Sequence, residues 1–495
     1  MKLTVAAGIS PYIEFDRKSN TPFYKQIYEG YRGAILSGQL RPGQRLPSSR
    51  SLAAELNISR LPVVIAFEQL LHEGYIEGKI GAGTYVKDSI PDELAKPVIE
   101  RRTVIRRREP SNPVHLREGN LHQSNTQTHQ GVLGAFRVSL PALDHFPHKV
   151  WARLVSRHAK NFSIEQMAYG DPAGHLPLRE AIAHYLRAAR AAHCDPAQVL
   201  IVSGSQMALQ ICSMALLKSG DEICIEEPGY PGARDALTST GASLVPIAID
   251  EEGIRVNEIE TRGKKVRAVY VTPSHQYPLG ISMTASRRLE LLDWAQRNGS
   301  WIIEDDYDSE YRYASRPLGA LQGMERTSRV IYIGTFSKVL FPSLRLGYVV
   351  VPPELFGGFF QLRETLDIFS PTLYQLVLTD FLQEGHFARH LRRMRAIYLA
   401  RRDALLESLR EHAGDLLDPY NTDAGLHLSA FLPRGVDDRK VVRNAALRGV
   451  SATALSTCYA GRRSRNGLVL GFGGANERRI SLAARTLGNV IRELA

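Results

Sequence analysis

Apolar residues recur at helical spacing in two short runs near the N-terminus, and further along the chain strand and helix spacings take turns. Within PSSRSLAAELNISRLPVVIAFEQLLHEGYIEGKIGAGTYV, residues 47–86, Ser48 or Ser49 can cap a first helix that carries Leu52, Ala53 and Leu56 on one face, and Asn57 breaks it. Ser59 is expected to cap a second. Pro62 then falls in its first turn, where the missing N–H costs nothing, and Val64, Phe67, Leu70 and Leu71 follow for the core. Gly74 ends this helix, and Tyr75–Ile76 and Thr84–Val86 flank a Gly81-Ala82-Gly83 turn. The pattern predicts a helix-turn-helix followed by a β-hairpin wing.

From about Phe136 onward, VLIVSG (199–204), EICIEE (222–227), VRAVYVT (266–272), WIIEDD (301–306), VIYIGT (330–335) and GYVVVP (347–352) read as buried strands separated by helices. That rhythm predicts an α/β domain with a largely parallel sheet. A long amphipathic pattern over 372–412 follows, then short strands near 425–432 and 467–472 and a closing helix around 476–494, which predict a smaller C-terminal lobe. A charged, Pro-containing stretch starts at Lys87, where Arg101, Arg102, Arg106, Arg107 and Arg108 put five like charges into eight residues. Mutual repulsion makes a solvated linker there, with a grip on DNA phosphates as the other reading. The expected division is 1–86 for the winged module, 87–135 for the linker and 136–495 for the large domain.

Composition narrows the partners. At 495 residues the chain exceeds one ordinary core, and 44% hydrophobic with 23% charged residues excludes wholesale disorder. Lys plus Arg exceed Asp plus Glu by 62 − 51 = 11, a balance that favours an anionic partner. Cys194, Cys212, Cys224 and Cys458 share no CxxC spacing, and His145, His148 and His175 are scattered, so neither metal nor disulfide framework is expected. The N-terminal apolar stretch is too short for a signal segment, and no later run approaches a bilayer span, so the expectation is a cytoplasmic protein with no membrane contact.

In the N-terminal module the candidate DNA contacts are Ser49, Arg50, Ser59, Arg60, Lys79 and Gly83. Arg60 opens the second helix, where a guanidinium reaches base edges in the major groove; Arg50 contacts phosphate or base, Gly83 lets the wing approach the backbone and Lys79 adds charge. The large domain offers a second chemistry. IIEDDYDSEY reads as a strand whose alternation puts Asp305 and Tyr307 on the same side at the C-terminal edge of the sheet, and Lys338 precedes Arg345 by seven residues in SKVLFPSLRLG. An acid, a phenol, a lysine and an arginine at strand ends match the needs of pyridoxal 5′-phosphate: a Schiff-base amine, a carboxylate for the pyridine nitrogen and a donor for the phenolate. VLIVSGSQMALQ is a strand, a turn and a helix whose Ser205 and Gln206 N–H groups can receive the phosphate, with Ser337 and Arg345 completing the cradle. Tyr230 follows another strand and could stack on the pyridine ring, while His275, Gln276 and Tyr277 lie near the phenolate.

Residues 21–86 closely resemble the winged DNA-binding domain of GntR-family regulators, and residues 136–495 resemble fold-type I, pyridoxal-phosphate-dependent aminotransferases. Joined, they resemble MocR-type regulators. The resemblance implies that Lys338 is the Schiff-base lysine, Asp305 the pyridine partner, Tyr307 the phenolate partner, Tyr230 the stacking ring and Arg345 a phosphate ligand. It also implies a homodimer that binds operator DNA and senses a small amine or the vitamer itself; the alternative is an aminotransferase with an accessory DNA-binding head. Two departures stand out. Leu61 occupies a place where many relatives carry a polar contact residue, which leaves base readout there apolar or absent. LVLGFG (468–473) puts Val469 where aminotransferases commonly hold the substrate carboxylate with arginine, so at most weak transaminase activity is expected. Arg462, Arg463 and Arg465 lie just upstream as possible substitutes.

Overall fold

The structure is a computed structural model that describes residues 16–17, 19, 21–79, 83–87, 134–263, 265–313, 319–325, 327–420, 423–461 and 465–495. The linker arginines, the wing tip at Gly81 and Ala82, and Arg462 and Arg463 lie outside the described residues. The chain divides into two compact units, Met1–Glu118 and Gly119–Ala495.

The first unit packs α1 (Phe23–Leu36), α2 (Ser49–Glu55) and α3 (Arg60–His72) ahead of an antiparallel hairpin, β1 (Ile76–Lys79) and β2 (Gly83–Val86), with Ile76 opposite Val86. Ser48 accepts from the Ser51 N–H at 3.1 Å and so caps α2. Ser59 sits at the N-cap of α3 but its side chain makes no capping bond there. Asn57, with φ +51, turns the chain between the two helices. The buried face of α3 is Val63, Ala66, Phe67 and Leu70 rather than the expected Val64 and Leu71, and Leu71 is exposed. The cause is that helix packing selects the i, i+3, i+4, i+7 set, and a start at Arg60 sets its phase at Val63.

The second unit is built on an eight-stranded sheet, β3 (Val199–Val202), β4 (Glu222–Glu227), β5 (Ser243–Asp250), β6 (Gly253–Ile254), β7 (Val266–Val271), β8 (Trp301–Asp306), β9 (Val330–Thr335) and β10 (Gly347–Val350), in the order β3-β10-β9-β8-β7-β4-β5-β6. Strands β9, β8, β7, β4 and β5 pair in parallel. Strand β10 lies antiparallel between β3 and β9. Strands β3, β9, β8, β7 and β4 therefore all end on one edge, where β10 begins. Alternate residues serve opposite cores: Val199 and Ile201 join one cluster, Leu200 and Val202 another. Strand β5 escaped the sequence reading because its residues are mostly half-buried and Pro246 interrupts the run.

The amphipathic stretch predicted over 372–412 is two helices, Thr372–Gln383 and His386–Ala413, separated where Gly385 adopts φ +72. The C-terminal lobe is a four-stranded antiparallel sheet, β11 (Asp418–Tyr420), β12 (His427–Phe431), β13 (Thr453–Ala454) and β14 (Gly467–Gly471), in the order β11-β12-β14-β13, backed by the helix Glu477–Arg492. Among the described residues no helix is long and apolar enough to cross a membrane.

Candidate functional site

The shared strand edge gathers the expected groups. Asp305 is the next-to-last residue of β8, Ser337 and Lys338 follow β9, Ser203 to Gln206 follow β3, Tyr230 follows β4, and His275 and Gln276 follow β7. Arg345 enters from the start of the antiparallel strand β10. Crevices at this edge are where open α/β sheets bind ligands. The cleft of about 610 Å³ lined by Asp221, Val266, Trp294 and Ser300 lies at the opposite edge, where β7 and β8 begin, and holds none of these residues.

Lys338 is half-buried, and its Nζ donates to the Ser139 carbonyl at 3.4 Å. Burial drives its pKa down to about 8, against the opposing pull of Asp308 and Asp305. Asp305 is buried, and burial pushes its carboxyl up to about 7 although Tyr270 donates its hydroxyl to Oδ2 at 2.8 Å. Its Oδ1 is buried with no hydrogen-bond partner. Tyr307 donates to the His275 carbonyl at 2.9 Å, with His275 Nδ1 at 3.1 Å.

Elsewhere on this strand edge Gly204, with φ +92, precedes the helix Ser205–Leu216. A Cβ at Gly204 would sit 3.0 Å from Arg345 Nη1, so only glycine leaves room for the guanidinium, which donates to the Ser203 carbonyl. The helix begins without a side-chain cap, and the first-turn N–H groups of Ser205 and Gln206 have no partner within the helix itself. Ser337 Oγ is buried and unpartnered. The Gln206 side chain donates to the Gly232 carbonyl at 2.9 Å, and the Tyr230 ring overlies Gly232, where a Cβ would meet Tyr230 Cζ at 2.6 Å. The Gln276 amide donates to the Pro228 carbonyl at 2.8 Å and to the Tyr277 carbonyl at 2.5 Å.

Tyr270, Asp308 and His427 were not found from the sequence. Tyr270 lies within β7, with no local signal for its partner. His275, Asp308 and His427 form a buried cluster with ligand-type atoms within 4.8 Å of one another. Most of those atoms are already committed: Asp308 Oδ1 to His275 Nδ1 at 3.1 Å, Asp308 Oδ2 to the Leu426 N–H at 3.2 Å, and His427 Nε2 to the Pro278 carbonyl at 3.2 Å. The cluster is a hydrogen-bonded network behind Tyr307, and burial lowers the His427 pKa to about 3, so that ring is neutral. Val469 faces away from the lobe's core: Leu468 and Leu470 join the main cluster, whereas Val469 pairs with Ser429, whose hydroxyl donates to the Pro278 carbonyl at 2.7 Å. Arg465, one of the substitutes considered, lies 3.7 Å from the Phe431 ring centroid and pairs with Asp418 at 3.2 Å.

In the N-terminal unit Arg50 and Arg60 are exposed, and Arg60 Nε donates to Ser49 Oγ at 3.0 Å. Lys79 pairs with Glu77 at 3.2 Å and lies over the Tyr85 ring. Gly83 has φ +113, and a Cβ there would come within 3.0 Å of Arg45 Nε. Arg45 is bridged to Tyr85 and exposed, a further cation beside the wing that its position before α2 did not reveal.

Residues 23–86 match the family of bacterial regulatory proteins of the gntR type, and residues 143–457 match class I and II aminotransferases. A probable rhizopine catabolism regulatory protein, MocR, of Rhizobium meliloti is 40% identical over 93% of this chain and 92% of its own length. The chain belongs to the MocR-type regulators. The pyridoxine biosynthesis transcriptional regulator PdxR of Corynebacterium glutamicum is 33% identical over 91% of this chain and 92% of its own. Among solved structures, a Pyrococcus horikoshii kynurenine aminotransferase in complex with PMP superposes with a TM-score of 0.70 at 28% identity, covering 76% of this chain and 95% of that one. As a MocR-type regulator the chain is a DNA-binding transcription factor with an aminotransferase-fold body.

Proposed function

We propose that this regulator holds pyridoxal 5′-phosphate at Lys338 and uses the loaded cleft to sense a small amine or the vitamer, in the cytoplasm and as a homodimer. The supporting observation is chemical fit at one sheet edge. A buried carboxylate oxygen at Asp305 lacks a partner, an amine at Lys338 has its pKa near neutrality, and a glycine at 204 keeps a guanidinium beside a bare helix N-terminus. Each is costly or idle without a ligand and useful with this one. The relatives fit the reading: one is named as a regulator of pyridoxine biosynthesis, and an aminotransferase of this fold was solved with PMP.

Bound there, the cofactor supplies an aldehyde carbon open to amines. The rest falls to this chain. With a pKa near 8, Lys338 is neutral in about a tenth of molecules at pH 7, some 300-fold more than an ordinary lysine, so it is a competent nucleophile. Asp305 Oδ1 accepts a proton-bearing nitrogen, Tyr307 and His275 orient an oxygen, and Arg345, Ser337 and the Ser205 and Gln206 N–H groups receive a phosphate. Tyr230 closes one face. Among the described residues, His427, Ser429 and Val469 supply no cation at the place where aminotransferases commonly hold a substrate carboxylate with arginine, which supports sensing over catalysis.

Dimerisation is supported by exposed apolar residues close in sequence: Ile164 is 82% exposed, Met167 66% and Tyr169 83%, and Tyr169 contacts Phe369. A second copy of the chain is the partner that suits paired DNA half-sites. For the module boundaries we propose 1–86, 87–135 and 136–495.

The test is spectroscopic. Purified protein mixed with pyridoxal phosphate should develop the visible band of the lysine-bound cofactor, Lys338→Ala should not, and an effector amine should change both the band and operator affinity. An unchanged band in Lys338→Ala removes the assignment. Turnover at ordinary enzyme rates, roughly 1–10³ per second, across an amino-acid panel would favour the aminotransferase instead.

A further inference from the structure

Helix α3 buries Val63, Ala66, Phe67 and Leu70 and turns Arg60, Leu61, Ile65 and Glu68 outward. Leu61 is 66% exposed and Ile65 38%. Four residues apart, they lie one above the other on the same stripe. One exposed leucine would need no explanation. Two apolar side chains stacked in the N-terminal half of a recognition helix do, because that half meets the base edges of the major groove. Beside them, Ser49 Oγ holds Arg60 Nε at 3.0 Å, which fixes the guanidinium and leaves its two Nη groups to form a bidentate fork. Exposed Arg45, Arg50 and Lys79 in the same unit supply the charge that holds a duplex.

Neither leucine nor isoleucine can hydrogen-bond a base. The apolar group that base pairs present in the major groove is the thymine C5-methyl. We propose that Leu61 and Ile65 are specificity-determining residues that pack on thymine methyl groups, next to a guanine read by Arg60. Four residues span about 6 Å of helix axis at about 1.5 Å each. Base pairs stack about 3.4 Å apart, so the thymines fall within about two base steps of each other. Polar substitution at either position would exchange this readout for hydrogen bonding and so change the preferred base. The inference rests on the DNA-binding role of the family and is independent of the cofactor.

The test uses the full chain and a pool of duplexes with a randomised centre, from which the preferred sequence is enriched. That duplex is then resynthesised with each thymine replaced singly by deoxyuridine, which removes only the methyl. Binding should weaken about fourfold at one or two positions, the worth of one buried methyl-sized group. In Leu61→Ala one of these penalties should vanish and in Ile65→Ala the other, while salt-dependent binding to unselected duplex stays as in the parent protein. The scan on the unaltered protein needs no variant to fold. If no sequence enriches, if no deoxyuridine costs affinity, or if both alanine variants keep every penalty, the proposal is overturned.

Discussion

Replacing Tyr270 by Phe removes one hydroxyl and should move the pH range in which the protein takes up pyridoxal phosphate. The hydroxyl donates to Asp305 Oδ2 at 2.8 Å, both residues are buried, and the bond favours the ionised carboxyl. A hydrogen bond to a charged group contributes about 1.5–3 kcal/mol, and a pKa unit is about 1.4 kcal/mol, so its loss raises the Asp305 pKa by about one to two units. The starting value is about 7, and the sign is upward, since the form that loses support is the charged one. At pH 7 the ionised fraction then falls from about half to between a tenth and a hundredth, and uptake slows about 5- to 50-fold. Above pH 9 the variant should catch up with the parent. The assay is the rate of appearance of the visible band after mixing with cofactor, from pH 5.5 to 10. In the parent, Asp305 ionisation and neutralisation of Lys338 act together, so the rate should rise between about 50- and 500-fold from pH 6 to 8. A midpoint that stays put in Tyr270→Phe, or a loss of equal size at every pH, would refute the reasoning, because the hydroxyl would then brace the strand and not the charge.

Other variants probe the frame around the site. Gly204→Ala forces a side chain into φ +92 and into the space of Arg345, a cost of about 1–3 kcal/mol; thermal melting should fall and cofactor affinity drop at least about tenfold, and an unchanged titration would argue against the phosphate corner. Arg190→Leu strips the buried Asp306 of a partner at 2.7 Å, so denaturant unfolding should show a loss of about 3–5 kcal/mol, whereas an unaltered midpoint would mean that Tyr332 alone satisfies the acid. Ile164→Lys combined with Tyr169→Lys places charge on the exposed apolar residues; sedimentation should then report a monomer, and a persisting dimer would move the interface elsewhere.

The chain alone determined the elements and the kinds of chemistry. Strands β3, β4, β7, β8, β9 and β10 could be read because they are largely buried on both faces and rich in apolar β-branched residues, and the helix pair at 49–72 because caps and breakers are local. Lys338, Asp305, Tyr307 and Arg345 stood out because each sits beside a strand end, a position that sequence order fixes. Pairwise facts were out of reach. Only the sheet order brings Tyr270 of β7 beside Asp305 of β8, and only the meeting of β12 with the 272–278 loop places His427 and Ser429 against Pro278. The phase of α3 shows the same limit. Its period was written in the residues, but choosing Val63 over Val64 for burial required α1 and α2 as neighbours, and that choice left Leu61 and Ile65 facing outward. Spacing along the chain encodes direction and rhythm, whereas contact between distant residues is set by the packing that satisfies all the elements at once.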